Sequence, residues 1–256
     1  MKISIITVVY NGAKYIEQAM QSVLKQRLPD GCELEYIVID GGSTDGTVEI
    51  IEKYRSKLGY FVSRPDTGIY NAMNKGIKHA SGDVIGILNA DDFYADEYVL
   101  QDVIKEFAQN TKLEAVYANL EYVHADDIEK VVRYWKSRPY KKGLFKMGWH
   151  PAHPTLFVRR QVYERCGIFD ENFKIAADYE FMLRIFEKCS VKSEFLDRVL
   201  VKMRVGGESN ASVKNIFKAN IESHLSWQKN GFGVLVSGFA VVCKLLSKLP
   251  QLVRRA

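Results

Sequence analysis

The chain of 256 residues is 47% hydrophobic and 26% charged, which indicates a globular protein with one sizeable α/β core. Its four scattered cysteines form no CxxC pair and lack metal-finger spacing, which argues against a disulfide framework or a zinc site and favours a reducing cytosol. The net charge of +5 comes from residues 223–256, which hold five bases and no acid, so the neutral remainder lacks the basic surface of a nucleic-acid-binding protein.

The first half alternates short β-branched runs with amphipathic segments, which is typical of βαβ units and a mostly parallel sheet. Breakers such as Pro29, Gly59, Pro65 and Gly82 separate these segments. The first apolar run is too short to span a membrane and lacks a cleavage pattern, so we expect no signal peptide and a mature protein that starts at Met1. We predict strands at Ile3–Val8, Leu34–Ile39, Tyr60–Ser63 and Val84–Leu88, and helices at Tyr15–Lys25, Thr47–Lys57, Tyr70–His79 and Asp96–Gln109.

The alternation is looser after Glu114, where we expect no second compact domain because no linker or repeat interrupts the chain. A basic, aromatic stretch from Tyr134 to Trp149 has no clear period and is predicted to be a loop-rich cover of the sheet. The other predicted segments are Ala115–Val123, Lys130–Trp135, a strand at Thr155–Val158, a helix at Asp178–Lys188 and a strand at Val199–Val205.

Polar residues follow each of the first four predicted strands. Any one of these segments can be read as a turn or a helix cap. Ligands of open α/β sheets bind beyond the carboxyl ends of the strands, however, so together the segments predict one binding crevice. The segments are Thr7–Gly12, Asp40–Gly46, Arg64–Gly68 and Asn89–Asp92.

The chemistry of this crevice indicates a nucleotide held with a divalent cation. Asp91 and Asp92 would offer hard oxygen ligands to Mg²⁺ or Mn²⁺, which shares its coordination with substrate phosphates. Asp40 could accept a hydrogen bond from a base or a ribose, and Gly41 and Gly42 would allow close approach of the ligand. Neither G-x-G-x-x-G nor a P-loop motif occurs, so the common dinucleotide and NTPase sites are not supported.

The ordered motifs TVVYNG, IDGGSTDGT, DTGIYNAMNKGIKHASGD, LNADD and AADYEFMLR resemble the family 2 glycosyltransferases across roughly residues 1–210. The resemblance implies a GT-A fold, a Rossmann-like mixed and mostly parallel sheet flanked by helices. It also implies inverting transfer from a UDP-, GDP- or TDP-sugar, with UDP favoured, to a hydroxyl of a saccharide or lipid-linked acceptor. Residues 1–113 would bind the nucleotide-sugar, and residues 114–210 would form the acceptor-side half.

The resemblance also assigns site residues. Two departures from the family pattern leave one acid fewer at each place, because Gly41 follows Asp40 where the family often has Asp-Asp, and Asn89 begins a motif that is often Asp-x-Asp-Asp. The expected metal ligands are Asp91 and Asp92. The expected nucleotide-sugar contacts are Val9, Asn11, Asp40, Asn71, Asn74, Lys75 and Asp91.

An inverting transfer needs a carboxylate that accepts the proton of the attacking hydroxyl. We predict Asp178, which begins an amphipathic helix and matches the second acid of the family's Glu-Asp pair, the first being Ala177 here, with Glu180 as the alternative. His150 and His153, each followed by a proline, are weaker candidates for acceptor or phosphate contacts, since such a pair is more often structural. Gly207 lies in a Gly-Gly-Glu-Ser segment that resembles a mobile loop over the donor phosphates, although a simple turn is an equal alternative.

Residues 211–256 are expected to form a basic helical extension. From Gly233 to Arg255, polar residues that include Ser237 and Lys244 share one helical face, and apolar residues such as Leu235 and Val242 lie opposite. This pattern favours a helix on an anionic inner membrane leaflet, and the alternative is packing on the protein or a second subunit. Competing functions for the whole chain are a sugar-nucleotide pyrophosphorylase and a non-catalytic nucleotide-sugar binding module.

Overall fold

A computed structural model describes residues 1–206 and 213–253. The strands are β1 (Lys2–Val9), β2 (Glu33–Asp40), β3 (Tyr60–Ser63), β4 (Val84–Ile87), β5 (Phe93–Tyr94), β6 (Ala115–Val123), β7 (Val131–Trp135), β8 (Phe157–Arg159) and β9 (Ser193–Arg204). The helices are α1 (Ile16–Leu24), α2 (Thr47–Glu52), α3 (Ile69–His79), α4 (Val99–Gln109), α5 (Arg160–Cys166), α6 (Ala177–Leu183), α7 (Val213–Lys229) and α8 (Val234–Val253).

The described strands form one mixed sheet in the order β3-β2-β1-β4-β8-β6-β9-β5, with β7 paired to β6. The strands β1 to β4 are parallel to one another, and β8 enters antiparallel between β4 and β6. Beyond β8, the strand β9 runs parallel to β6. This arrangement confirms the expected mixed, mostly parallel sheet and places the carboxyl ends of β1, β2 and β4 at one edge.

Helices cover both faces of the sheet. Along β1 the side chains alternate, so Ile5 packs with α1 and α4 on one face while Ile6 packs with α3 and α6 on the other. Because both faces are buried, the central strands read as continuous apolar runs in the sequence. The loops at the carboxyl ends of these strands are therefore held by a rigid three-layer core.

The second half differs most from its prediction. The expected helix Asp178–Lys188 is α6 followed by a π-helical turn over Arg184–Lys188, and α5 was not predicted. The last strand begins at Ser193 rather than Val199, because its register with β6 shifts after Ala118 and the bulge breaks the alternation of apolar residues.

The helix α7 is part of the core rather than an appendage. Its Trp227 is fully buried, packs on Phe232 with ring centroids 4.8 Å apart, and donates from Nε1 to the hydroxyl of Tyr179 at 3.0 Å. Residues that the sequence assigns to the extension after position 210 therefore complete the packing around α6.

The helix α8 has the two faces that the sequence predicts, and the polar face packs on the protein. Ser237 and Lys244 are buried, and Lys244 Nζ donates to Ser223 Oγ at 2.7 Å and lies 4.0 Å from the ring centroid of Tyr179. The sequence pattern predicted that the basic face of this helix would lie on an anionic membrane surface. Lys244 instead packs on the protein. The apolar face is exposed instead, with Leu235 90% accessible. No helix in the described part of the chain is long and apolar enough to cross a bilayer.

Candidate active site

The loop after β2 is shaped by Asp40. This carboxylate is fully buried, and its Oδ2 accepts the N–H groups of Gly42 at 3.0 Å and Ser43 at 2.9 Å and the hydroxyl of Ser63 at 2.6 Å. Its Oδ1 accepts the hydroxyl of Ser43. These bonds use much of the acceptor capacity that the sequence assigns to a nucleotide, so Asp40 fixes the loop that would face the ligand.

Asn11 ties the end of β1 to this loop. It adopts a left-handed φ of 49°, its Oδ1 accepts the N–H of Thr44 at 3.0 Å, and its own N–H donates to Ser43 at 2.7 Å. The carbonyl of Val9 accepts the N–H of Gly41 at 2.9 Å. The structure thus brings together Val9, Asn11 and Asp40, as the resemblance implied.

Asp66, in the loop after β3, is a residue that the sequence-based selection missed. A Cβ atom on Gly41 would lie 2.9 Å from Asp66 Oδ2, so the Asp66 carboxylate fills the space beside Gly41. At this place the family often has a second acid. Asp66, from the loop after β3, therefore lies beside Gly41, where this chain lacks the second acid of the family motif.

The α3 candidates divide into two groups. Asn71 and Asn74 donate to the carboxylate of Glu171 at 2.9 and 2.8 Å, and Asn74 also exchanges two hydrogen bonds with the backbone of Phe169. These amides brace α3 against the 169–171 segment, and a nucleotide contact would require them to leave those partners. Lys75 instead reaches the carbonyl of Pro65 at 3.3 Å, in the loop after β3.

The turn after β4 offers oxygen ligands for a cation. Asp92 is buried and its Oδ2 accepts from Asn89 Nδ2 at 3.2 Å, whereas the Oδ1 atoms of both residues are buried and have no hydrogen-bond partner within the described residues. Burial raises the pKa of Asp92 well above its usual value, and the charge of Asp91 raises it further. Unpartnered hard oxygens beside two repelling carboxyls fit Mg²⁺ or Mn²⁺. Within the described residues, no three His, Cys, Asp or Glu side chains form a ready metal cluster.

Arg204, at the end of β9, lies beside this turn and was not predicted. Its Nη1 donates to the backbone carbonyl of Asp91 and its Nη2 to Gln18, and its guanidinium carbon lies 4.8 Å from the ring centroid of Phe93. Burial lowers the pKa of Arg204, and the neighbouring Asp91 and Asp92 oppose that shift. The guanidinium of Arg204 therefore partly neutralises the negative charge of Asp91 and Asp92.

Asp178 lies in the first turn of α6. Its Oδ1 accepts the hydroxyl of Tyr70 at 3.1 Å, and the same hydroxyl lies 2.8 Å from the carbonyl of Ile175. Its Oδ2 has no hydrogen-bond partner among residues 1–206 and 213–253. The carboxylate is therefore oriented by one oxygen and available to a proton through the other.

Glu180 is buried, and both of its carboxylate oxygens accept hydrogen bonds from neighbouring side chains. It is 1% exposed, its oxygens pair with Arg184 at 3.0 and 2.8 Å, and Asn230 donates to it at 2.9 Å. A carboxylate held in this way lacks the access that a general base needs. The geometry favours Asp178 over Glu180.

Tyr122 on β6 connects the metal turn to α6. Burial raises the pKa of Tyr122 to about 12, and the charges of Asp92 and Asp178 both raise it while Arg133 opposes them. Tyr122 therefore lies within electrostatic range of both carboxylates, the one in the turn after β4 and the one at the start of α6.

The model of glycosyl transferase family 2 matches residues 4–167 of this chain. The chain belongs to this family. It is 31% identical to an uncharacterized glycosyltransferase of Mycobacterium tuberculosis over 188 residues, 73% of this chain and 70% of the relative. It is 24% identical over 264 residues to a PGL/p-HBAD biosynthesis glycosyltransferase of Mycobacterium bovis, which covers 99% of this chain and 93% of the relative.

Solved structures show the same fold. The Staphylococcus aureus TarS 1-349 complex with UDP-GlcNAc aligns with a TM-score of 0.69 at 21% identity over 96% of this chain and 72% of that one. A mannosyltransferase of Pyrobaculum calidifontis, solved with GDP-Man and Mn²⁺, aligns with a TM-score of 0.64 at 18% identity, over 95% of this chain and 73% of that one. The protein is a glycosyltransferase with a GT-A fold, and this decides against the pyrophosphorylase alternative.

In this glycosyltransferase the two predicted histidines have different surroundings. Burial lowers the pKa of His153, and the charge of Asp178 opposes the shift, so this imidazole lies within electrostatic range of the expected base. The ring of His150 lies 5.2 Å from Trp135 and 5.5 Å from Tyr179 in an aromatic cluster, as expected of a structural residue. Gly207 lies outside the described residues.

Proposed function

We propose that this protein transfers a sugar from a nucleoside diphosphate donor, with UDP favoured, to an acceptor hydroxyl with inversion. The acceptor is a saccharide or a lipid-linked saccharide, in the synthesis of a surface polysaccharide or glycolipid. The observation that carries the proposal is the placement of two acidic groups: the buried Asp92, whose Oδ1 has no partner in the described residues, follows β4, and Asp178, held through Oδ1 by Tyr70, lies in the first turn of α6.

Asp178 acts as the general base. Its Oδ2 accepts the proton of the acceptor hydroxyl while the hydroxyl oxygen attacks the anomeric carbon of the donor. The new C–O bond forms on the face opposite the departing diphosphate, so the configuration inverts. The Tyr70 hydroxyl holds Oδ1 at 3.1 Å and thereby fixes the direction of the carboxylate during the attack.

The residues that would hold a cation are Asp91 and Asp92, with Asn89 Oδ1 as a further oxygen. A bound Mg²⁺ or Mn²⁺ would supply charge neutralisation for the diphosphate leaving group. Val9, Asn11 and Asp40 shape the wall that faces the nucleotide, and Lys75 adds a positive charge near the loop after β3.

Two comparisons support the choice of donor and pathway. TarS has been solved with UDP and with UDP-GlcNAc, which favours UDP as the carrier, and the archaeal mannosyltransferase was solved with Mn²⁺. The mycobacterial relative is named for PGL/p-HBAD biosynthesis, which favours a cell-envelope product.

Donor binding tests the site. Calorimetry with UDP should give Mn²⁺-dependent affinity for the wild type and none for Asp92→Asn, which keeps the shape of the side chain and removes its charge. Lys25→Gln, on the exposed end of α1, is the control. Release of free sugar from UDP-sugars in the wild type distinguishes an enzyme from a binding module, and NMR of the transfer product tests inversion. Unchanged UDP affinity in Asp92→Asn would contradict the metal assignment.

We further propose that the enzyme is cytoplasmic and peripheral at the inner face of the membrane, with the apolar face of α8 at the lipid. Support comes from a set of exposed apolar side chains on α7 and α8, three of which, Phe217, Ile221 and Leu245, line a groove between the two helices. The set comprises Phe217, Ile221, Leu225, Val234, Leu235, Phe239, Val242, Leu245 and Leu246.

Vesicle sedimentation tests the membrane contact. Leu235→Asp combined with Phe239→Asp should abolish pelleting with phosphatidylglycerol vesicles, because charged groups cannot enter the apolar layer. Tyr98→Asp, at the start of α4, is the matched control and should pellet normally. Equal pelleting of all three proteins would show that this surface serves another partner.

A further inference from the structure

The segment from Lys130 to Met147 is the most basic part of the chain outside the proposed donor site. It contains seven bases and no acid. In the described parts of the chain, none of these bases forms an ion pair, and six of them are exposed. The bases are Lys130, Arg133, Lys136, Arg138, Lys141, Lys142 and Lys146. We call this segment the basic ribbon.

One end of the basic ribbon lies near the start of α6, because the ring of Trp135 is 5.2 Å from that of His150, which is 5.5 Å from that of Tyr179, the residue after Asp178. Arg133 pairs with Tyr122 in the antiparallel register of β6 and β7, and its guanidinium carbon lies 5.0 Å from the Tyr122 ring centroid. The ring of Trp135 is nearly parallel to that of Tyr122, at 7° and a centroid separation of 6.3 Å. The Tyr122 hydroxyl has no hydrogen-bond partner in the described structure. We call Tyr122, Arg133 and Trp135 the β7 shelf.

The other end of the basic ribbon reaches α8. Gly148 has a left-handed φ of 78°, and a Cβ atom there would lie 2.7 Å from the Cα atom of Lys244. The chain therefore passes against the α8 backbone, and only glycine allows this approach. The basic ribbon thus runs from near the start of α6 to the helix whose apolar face is exposed.

We propose that the β7 shelf and the basic ribbon bind an acceptor whose sugar is joined to a lipid through a phosphate or diphosphate. The partly exposed ring of Trp135, supported by the buried ring of Tyr122, offers apolar surface to the acceptor sugar. The guanidinium of Arg133 offers the paired donors that phosphate oxygens accept. The positive charge of the lysines between the β7 shelf and α8 favours the anionic phosphates of an acceptor that extends from the lipid to the β7 shelf. The inference rests on the proposed function, since it names the acceptor of the same site.

Three acceptor probes test the proposal by calorimetry at saturating UDP and Mn²⁺. All carry N-acetylglucosamine: an octyl glycoside, an octyl diphosphate and the sugar 1-phosphate without a chain. The octyl diphosphate should bind most tightly. Arg133→Gln should weaken that binding roughly 10- to 100-fold and leave the octyl glycoside and UDP unchanged, because only the charge-assisted bonds are lost.

Arg55→Gln is the matched control. Its guanidinium also lies over an aromatic ring, 5.5 Å from the Phe61 centroid, but beside β3 rather than β7. Equal affinity for the octyl glycoside and the octyl diphosphate would overturn the proposal. Weaker UDP binding in Arg133→Gln would assign the arginine to the donor. If the sugar 1-phosphate binds as tightly as the octyl diphosphate, the lipid part of the proposal is wrong.

Two further measurements distinguish a failure of the acceptor proposal from a failure of the proposed function on which it rests. Mn²⁺-dependent UDP binding by the wild type tests the premise: its absence would refute the proposed function, whereas equal affinity for the octyl glycoside and the octyl diphosphate would refute only the acceptor assignment. Phosphatidylglycerol vesicles should pellet Arg133→Gln as well as the wild type. Loss of pelleting in this variant with intact probe binding would mean that the basic ribbon contacts the lipid surface instead.

Discussion

Glu222 Oε2 accepts the backbone N–H of Ala176 at 2.8 Å, which joins α7 to the residue immediately before α6. The same carboxylate accepts the N–H groups of Ile175 at 2.8 Å and Lys174 at 3.1 Å. Glu222 is buried, and its bond to Ala176 lies in the interior, whereas those to Ile175 and Lys174 are partly buried. The first turn of α6, which carries Asp178, is thus anchored by a residue beyond the part of the chain that the family model matches.

Replacing Glu222 with glutamine should therefore disturb the base as well as the fold. The amide keeps the shape of the side chain but turns one acceptor into a donor that faces a backbone N–H. We expect a loss of about 1–3 kcal/mol in the free energy of unfolding, measured with urea. We also expect a lower kcat at nearly unchanged donor KM, because Asp178 would shift relative to the acceptor. Lys218→Gln, exposed on α7, is the control, and an unchanged kcat would restrict Glu222 to a structural role.

Asp178 and Glu180 should respond to amide substitution in opposite ways. Asp178→Asn removes a base that is not part of an ion pair, so transfer should fall by about 10²–10⁴-fold with little change in stability or UDP affinity. Glu180→Gln breaks the buried pair with Arg184 and should cost about 3 kcal/mol of folding free energy. Initial rates and urea denaturation of the two variants separate these effects. Near-normal transfer in Asp178→Asn would refute its role and make His153 the next candidate.

The sequence predicted the parallel half of the fold because its signals are local. Each apolar run is followed within a few residues by the polar turn that ends it, so Asn11, Asp40 and Asp92 could be placed at one sheet edge without tertiary information. The rule that ligands bind beyond the carboxyl ends of strands then supplied the crevice. Asp178 needed the family resemblance, since a first-turn acid is common in helices that have no catalytic role.

The residues that were missed depend on long-range packing. Arg204 meets Asp91 across 113 positions of sequence, and Tyr122 meets Arg133 only through the register of β6 and β7. The partners of Asn74 were also hidden, because a buried amide paired with Glu171 and a ligand-binding amide look the same in sequence. The periodicity of α8 gave its two faces but could not say which one the protein covers.

Two truncations should behave differently. Removal of residues 233–256 deletes α8, and we expect a folded, less stable enzyme that no longer pellets with phosphatidylglycerol vesicles. Removal of residues 211–256 also deletes Trp227 and Glu222 from the core, and the loss of the buried tryptophan alone is worth about 3–5 kcal/mol. The longer truncation should therefore fail to show a cooperative urea transition. A stable product of the longer truncation would mean that residues 1–210 fold independently.

Glu35, far from the crevice, should make stability depend on pH. Burial alone would raise the pKa of this carboxyl, but hydrogen bonds from Lys2, Ser4 and Ser81 lower it from 4.5 to about 2. Because the folded pKa is lower than the unfolded one, the stabilisation is complete above about pH 4.5 and is lost as the pH falls toward 2. After allowance for solvent screening, it should amount to about 1–2 kcal/mol at neutral pH.

The variant that isolates this contribution is Glu35→Gln. Its deficit in unfolding free energy relative to the wild type should be full at pH 7 and shrink by more than half by about pH 3, because a protonated Glu35 resembles glutamine. Glu33→Gln, exposed on the same strand, should show almost no deficit at either pH. Urea denaturation of the three proteins at both pH values measures the difference. A Glu35→Gln deficit that stays constant between pH 7 and pH 3 would mean that lost packing, and not the lowered pKa, accounts for the effect.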